Sequence, residues 1–327
     1  MKLGLDDLRA ITRGVVDVTE ENGVFSFFRF TKAQAEAYAA AGHRDFYEKT
    51  FASADVRFAF ATDAEVMAFD YRFARGSSRE FGYFDVYENG TLTAHFGLEK
   101  TDDQAHHAEI RFSRGEKQVE LYFPWSRKTT LQNVELPDGA SIRSLHRKSS
   151  MICFGDSITH GYDAVYPSLS YTNILGRALD ADGVNKAIGG DVFFPELLAS
   201  PDAAAPDFIT VAYGKNDWSH CSPQSTEERA TAFFHKLSLL YPASRIFAIM
   251  PIWRDSDPAK SQFGMPVSGM RPLFERAVAG LGNVTLIEGY NLVPHLTEFF
   301  SDHYLHPNDA GFAIYGANLA KKIVGSR

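Results

Sequence analysis

Cysteine is almost missing from this 327-residue chain. Only Cys153 and Cys221 occur, too few for a disulfide framework and without the clustered spacing of zinc ligands. An excess of positive charge is missing too. Lys and Arg total 33 against 41 Asp and Glu, for a net charge of -8, and the pI is near 5.8. Nucleic acid is therefore not an expected partner, because phosphate binding needs clustered cations. No apolar run approaches the length of a membrane span, which argues against a membrane partner. At the start, Met1-Lys2-Leu3-Gly4-Leu5-Asp6-Asp7 reaches acidic residues before a signal-peptide core can form, so a soluble cytoplasmic protein is the expectation. Internal repeats and low-complexity segments are also lacking. What remains is ordinary globular material, 45% hydrophobic and 23% charged, long enough for two domains with separate cores. A homo-oligomer is left open.

Two periodicities divide the chain. From about residue 50 to 145 the pattern is that of strands: Met67, Phe69, Tyr71 and Phe73 alternate with Ala68, Asp70 and Arg72, the period-two signature of a half-buried strand. Phe81 to Tyr87 runs into Asn89-Gly90, a strong hairpin signal, and Ser113-Arg114-Gly115 joins Ile110 to Phe112 with Val119, Leu121 and Phe123. Pro137-Asp138-Gly139 marks another turn. Only Lys32 to Ala41 looks helical in this half, so residues 1–147 are expected to form an all-β sandwich of jelly-roll-like kind. Beyond the basic stretch His146-Arg147-Lys148 the pattern changes to strands near 151, 184, 208, 245 and 284, with helices near 170, 226, 270 and 309. Such alternation predicts an α/β domain over 148–327, with a parallel sheet covered on both faces. Ser225 and Glu228 suggest a capping box opening the helix that carries Ala230, Phe233, Phe234, Leu237 and Leu240.

In a parallel α/β sheet the functional groups gather just after the carboxyl ends of the strands. Four such places carry chemistry-bearing residues. Gly155-Asp156-Ser157-Ile158-Thr159 follows the first strand, with Ser157 at the apex of a tight turn where a helix N-terminus favours a developing anion. Gly189-Gly190-Asp191 follows the second, Gly214-Lys215-Asn216-Asp217 the third, and Asp302-His303-Tyr304-Leu305-His306-Pro307-Asn308 precedes the last helix. A serine hydroxyl is a poor nucleophile at neutral pH unless a base accepts its proton, and His306 can serve. That imidazole needs an acceptor on its other nitrogen to fix the tautomer, and the tetrahedral intermediate needs donors for its oxyanion.

The first block resembles the GDSL motif, and the four blocks in order resemble those of SGNH (GDSL-like) hydrolases over residues 148 to 327. The resemblance implies a three-layer, flavodoxin-like fold, with Ser157 as nucleophile and His306 as base. It also implies an oxyanion hole from the N–H groups of Ser157 and Gly190 and the amide of Asn216. Here the chain departs from the family, which places its acid three residues before the histidine: that position holds His303, and Asp302 lies four before. Asp302 is the expected acid if a wider turn brings it to the ring; otherwise the acid is displaced or a backbone carbonyl orients His306.

Each of these residues also has a bland reading. Ser157 could be only an N-cap, Gly190 a turn glycine, Asn216 a cap and His306 a loop histidine; their recurrence at successive strand ends favours function. Asp156 and Asp217 read as structural acceptors of backbone N–H groups. His106 and His107 point to opposite faces of a strand and lack a third ligand, and no metal is expected. Cys153 reads as a buried thiol. Trp218, Trp253 and Arg254 fall near the expected mouth of the site, where pocket lining and plain packing are equally open.

The two halves together resemble two-domain carbohydrate esterases. The expected activity is a cofactor-free serine esterase that forms an acyl-Ser157 intermediate and hydrolyses short-chain esters of a small molecule or oligosaccharide, O-acetyl sugars first among them. The alternatives are a lipase, lysophospholipase or thioesterase for longer chains, and a non-catalytic carbohydrate-binding protein with a degenerate hydrolase domain. No apolar lid helix supports the former, and a complete serine and histidine set argues against the latter.

Overall fold

Alternation of apolar and polar residues becomes paired strand through most of the first part of the chain. The structure, a computed structural model, describes residues 1–202, 204–255 and 261–326. It divides into two units, the first made of Met1–Thr31, Glu48–Arg147 and Tyr166–Ser168. This unit contains α1 (Leu5–Ile11), β1 (Thr12–Arg13), β2 (Asp17–Glu21), β3 (Val24–Phe28), β4 (Arg57–Thr62) and β5 (Val66–Arg75). After these come β6 (Gly82–Glu88), β7 (Thr91–Leu98), β8 (His106–Arg111), β9 (Lys117–Tyr122), β10 (Arg127–Glu135) and β11 (Ile142–Ser144). One sheet has the order β1-β4-β9-β6-β7 with β11 also on β4, and the other the order β2-β3-β10-β5-β8. Every pairing is antiparallel. Met67, Phe69, Tyr71 and Phe73 are buried with Phe58, Phe84, Leu121, Phe123 and Leu131 in one core, each apolar side chain contributing about 1.5–3 kcal/mol by leaving water.

Turn chemistry explains the connections. Asn89 and Gly90 both have positive φ, 49° and 82°, and join β6 to β7 in the manner of a type I′ hairpin. Asn22 and Gly23, at 51° and 77°, do the same between β2 and β3, a hairpin upstream of the region where strands were expected. The Ser113-Arg114-Gly115 link has a different role: β8 pairs with β5 in one sheet and β9 with β4 and β6 in the other, so the chain there passes between sheets.

The second unit is made of Lys32–Tyr47, Lys148–Val165 and Leu169–Arg327. Its strands are β12 (Ser149–Gly155), β13 (Ala181–Asn185), β14 (Phe208–Ala212), β15 (Arg245–Ile249) and β16 (Val284–Ile287). They form one parallel sheet in the order β13-β12-β14-β15-β16. In chain order that is 2-1-3-4-5, the flavodoxin-like winding, whose switch point lies between β12 and β14. The inner strands β12, β14 and β15 are buried along most of their length, as a sheet flanked by helices requires, and the edge strands β13 and β16 less so.

The helices of this unit are α2 (Lys32–Ala40), α3 (Arg44–Lys49, of which Glu48 and Lys49 are counted with the first unit), α4 (Ser157–His160), α5 (Tyr171–Leu179), α6 (Lys215–His220), α7 (Pro223–Leu240), α8 (Arg271–Ala277) and α9 (Asp309–Gly325). Two features differ from the sequence reading. Helix α7 starts earlier than the Ser225–Glu228 box: Ser222 is the N-cap, its side chain accepting from the Ser225 N–H at 3.2 Å, and Pro223 pre-sets the first helical φ. The helical segment near residue 32, read as part of the N-terminal domain, packs within the second unit. There Tyr38 donates to Asp191 Oδ2 at 2.6 Å and Lys186 Nζ donates to Gln34 Oε1 at 2.5 Å. Among the described residues, no helix is long and apolar enough to cross a membrane.

Candidate active site

The first site residue is positioned by a turn that only glycine permits. A Cβ on Gly155, at the end of β12, would lie 2.2 Å from Thr159 Oγ1. The chain therefore turns at once into α4, where Asp156 is the N-cap and its Oδ1 accepts the Ile158 N–H at 3.0 Å. Ser157 is the first helical residue and is 8% exposed. Its Oγ lies 2.9 Å from His306 Nε2, within the reach of proton transfer.

The histidine is held by a loop pinned at both ends. Phe300 and Pro307 form an antiparallel bridge, the Ser301 N–H donates to the His306 carbonyl at 2.8 Å, and Asn308 caps α9 by accepting the Gly311 N–H. Asp302 has two duties. Its Oδ1 accepts the N–H groups of Tyr304, Leu305 and His306 at 3.1, 2.7 and 3.1 Å, while Oδ2 lies 2.8 Å from His306 Nδ1. Burial alone would raise its pKa, but the His306 hydrogen bond and the three backbone donors hold the carboxyl well below the usual carboxylate range. The residue at the family's acid position, His303, has a left-handed φ of 62°. Asp302 itself reaches the ring from four positions before His306.

Gly190 and Asn216 follow β13 and β14. Gly190 has φ 95°, a conformation open to glycine, and no acceptor for its N–H is found among the described residues. Asn216 Nδ2 donates to the Asp191 carbonyl at 2.8 Å. Since an amide carries two donors, this contact fixes the group and leaves one hydrogen for another acceptor. Asp191 is buried: its Oδ2 accepts from Tyr38 at 2.6 Å and Tyr213 at 3.2 Å. Burial pushes its carboxyl up to about 7 against those hydrogen bonds. Asp217, also raised by burial to about 7, accepts the N–H groups of Phe193 and Gly214, each at 3.2 Å. Asp156 and Asp217 thus tie down backbone donors.

Trp218 is 3% exposed and donates its indole N–H to the Met265 carbonyl at 2.7 Å, so its side chain is packed in the interior. Arg254 lies over the rings of Trp218 and Tyr304, 5.1 and 5.7 Å from their centroids, against the histidine loop. Trp253 stacks on His295 with centroids 5.3 Å apart and packs edge-on against Phe300. Lys215 is buried beside Asp156 in the wall of a small cavity, and its Nζ has no hydrogen-bond partner among the described residues. Burial, then Arg254, lower the Lys215 pKa, while burial raises that of Asp156. Cys153 is buried in β12. His106 and His107 each pair with an aspartate, Asp102 and Asp70.

Asp163 was not singled out in the sequence. It stands outside all four blocks, in the turn after α4, yet its Oδ2 lies 3.7 Å from His306 Nδ1. Among the described residues, Asp163, Asp302 and His306 bring three candidate metal-ligand atoms within 4.8 Å of one another. Because Nδ1 is already bonded to Asp302, the geometry is that of two carboxylates on one imidazole. Chemically, the ensemble can remove a proton from Ser157 and support charge on His306.

Residues 153–314 match the model of the GDSL-like lipase/acylhydrolase family. No curated protein matches the chain in sequence. Solved structures match in fold. The salicylyl-acyltransferase SsfX3 from a tetracycline biosynthetic pathway superposes with a TM-score of 0.79 at 21% identity, covering 96% of this chain and 94% of its own. A putative GDSL-like lipase from Bacteroides ovatus gives 0.74 at 16% identity, covering 98% and 96%. The acetyl xylan esterase Est2A from the rumen bacterium Butyrivibrio proteoclasticus gives 0.60 at 15% identity, covering 83% and 89%.

Proposed function

We propose, from a chain whose residues 153–314 form a GDSL-like lipase/acylhydrolase domain, that this carboxylic ester hydrolase acts on short acyl esters, O-acetyl groups on saccharides first among them. The observation that carries the reading is the continuous relay from Ser157 Oγ to His306 Nε2, at 2.9 Å, and from His306 Nδ1 to Asp302 Oδ2, at 2.8 Å. Ser157 Oγ attacks the ester carbonyl carbon while its proton passes to Nε2, and the carbonyl oxygen becomes an oxyanion facing the N–H of Gly190 and the Asn216 amide. Collapse breaks the bond to the alcohol oxygen, which takes the proton from His306. Water, deprotonated by the same nitrogen, then cleaves acyl-Ser157 and releases the acid.

Support for a saccharide ester comes from solved carbohydrate esterases of the same fold, among them the acetyl xylan esterase. The test is kcat/KM across an acyl series on one aryl leaving group, followed by acetylated sugars. Acetyl is expected to exceed octanoyl; the reverse order would replace this reading with a lipase or thioesterase. A second reading, acyl transfer to an alcohol in place of water, is favoured by the fold shared with the salicylyl-acyltransferase over 96% of this chain. Ester products formed from added alcohols would identify it.

A further inference from the structure

We infer that Asp163 is a second carboxylate acting on His306, sharing with Asp302 the task of stabilising the imidazolium that forms when Ser157 loses its proton. The assignment rests on the reading of His306 as the base. Asp163 Oδ2 and Asp302 Oδ2 lie 3.7 and 2.8 Å from the same Nδ1. The three side chains are only 13%, 22% and 12% exposed for Asp163, Asp302 and His306, so solvent screens the charges weakly.

Asp163 is held in place by two local features. Its backbone is left-handed, φ 72°, a conformation aspartate tolerates. Its Oδ2 accepts the Ser301 hydroxyl at 2.7 Å, which ties it to the residue before Asp302. The preceding Tyr162 stacks on the His306 ring at 5.7 Å and 27°. Tyr162-Asp163 therefore presents a ring to the face of the imidazole and a carboxylate to its edge. The need for a second carboxylate follows from the duties of the first: one oxygen of Asp302 is occupied by three backbone N–H groups, donors that withdraw its charge from the imidazolium. As Asp163 acts through His306, it is a positioning residue rather than a catalytic one.

A double-mutant cycle on kcat for an acetyl aryl ester tests this, using Asp163→Asn and Asp302→Ala singly and together. With Asp302 present, Asp163→Asn is expected to lower kcat by roughly threefold with KM little changed. In the Asp302→Ala background the same substitution is expected to cost roughly thirtyfold or more, the coupling of two groups that share one partner. Ser301→Ala, which removes the tether and keeps both charges, should fall less than Asp163→Asn in the Asp302→Ala background. Where hydrolysis is too slow, the labelling rate of Ser157 by a fluorophosphonate gives the same comparison. Equal costs in both backgrounds, or a Ser301→Ala loss matching that of Asp163→Asn, would make Asp163 merely structural and overturn the inference. His306→Ala separates the two levels. If it is inactive while the cycle is additive, only this inference falls; if it stays active, the base assignment and this inference fall together.

Discussion

At residue 303 the backbone turns left-handed, between an Asp302 whose Oδ2 lies 2.8 Å from the imidazole and the histidine itself. A residue forced to φ near +62° costs about 1–3 kcal/mol unless it is glycine or a tolerant polar residue, and β-branched side chains tolerate it least. His303→Gly is therefore expected to keep kcat near that of the parent, whereas His303→Val should lower both kcat and thermal stability, because the loop must open to relieve the strain. A His303→Val variant with unchanged kcat and Tm would show that this turn does not hold Asp302. Asp302→Asn tests the acid itself: an amide presents N–H to the ring and favours the wrong tautomer, and a kcat loss of roughly 10²–10⁴ is expected. Since the folded pKa of Asp302 is depressed, its ionised form stabilises the fold at any pH above the unfolded value of about 3.9. That contribution disappears only as the pH falls through the lower folded value. The sequence names Asp302 as a candidate but not the loop that sets it beside the ring, because a backbone conformation leaves no motif. Asp163 left no trace at all, since its relation to His306 exists only after the chain has folded.

Helix α2 shows how an element far away in the chain can fix the second site loop. Its Tyr38 donates to Asp191, the residue after Gly190 whose carbonyl also holds Asn216, and Phe46 in α3 lies 3.3 Å from where a Gly190 Cβ would be. Asp191 also gives the clearest pH dependence. Its folded pKa, about 7, exceeds the unfolded value of about 3.9. Between the two the folded state holds the extra proton, so this residue makes stability fall as pH rises. Asp191→Asn does not titrate, and the difference in Tm between variant and parent should grow in the variant's favour from pH 5 to pH 8. A difference that stays flat over that range would mean Asp191 is ionised throughout.

Periodicity made the elements of both units readable, because alternation and helical spacing are local properties. The start of α7 is ambiguous in sequence, because Ser222-Pro223 competes with the Ser225–Glu228 pair three residues later, and the structure uses the former. The β2–β3 hairpin carries the same kind of local signal in Asn22-Gly23, upstream of the strand-rich stretch.

For the molecule as a whole, the parallel sheet gathers the site, since its winding reverses between β12 and β14 and sets Ser157 and Asn216 at neighbouring strand ends. This was legible because α/β alternation dictates it. The membership of residues 32–47 in the second unit was not, because packing partners so distant in sequence leave no periodic signal. The central claim is that Ser157, activated by His306, is a nucleophile. Intact-mass analysis after exposure to a fluorophosphonate measures it most directly, since that probe traps an activated serine as a stable adduct. One adduct per chain is expected, absent in Ser157→Ala and formed far more slowly in His306→Ala. A folded, unlabelled parent protein, or an adduct that persists in Ser157→Ala, would contradict it.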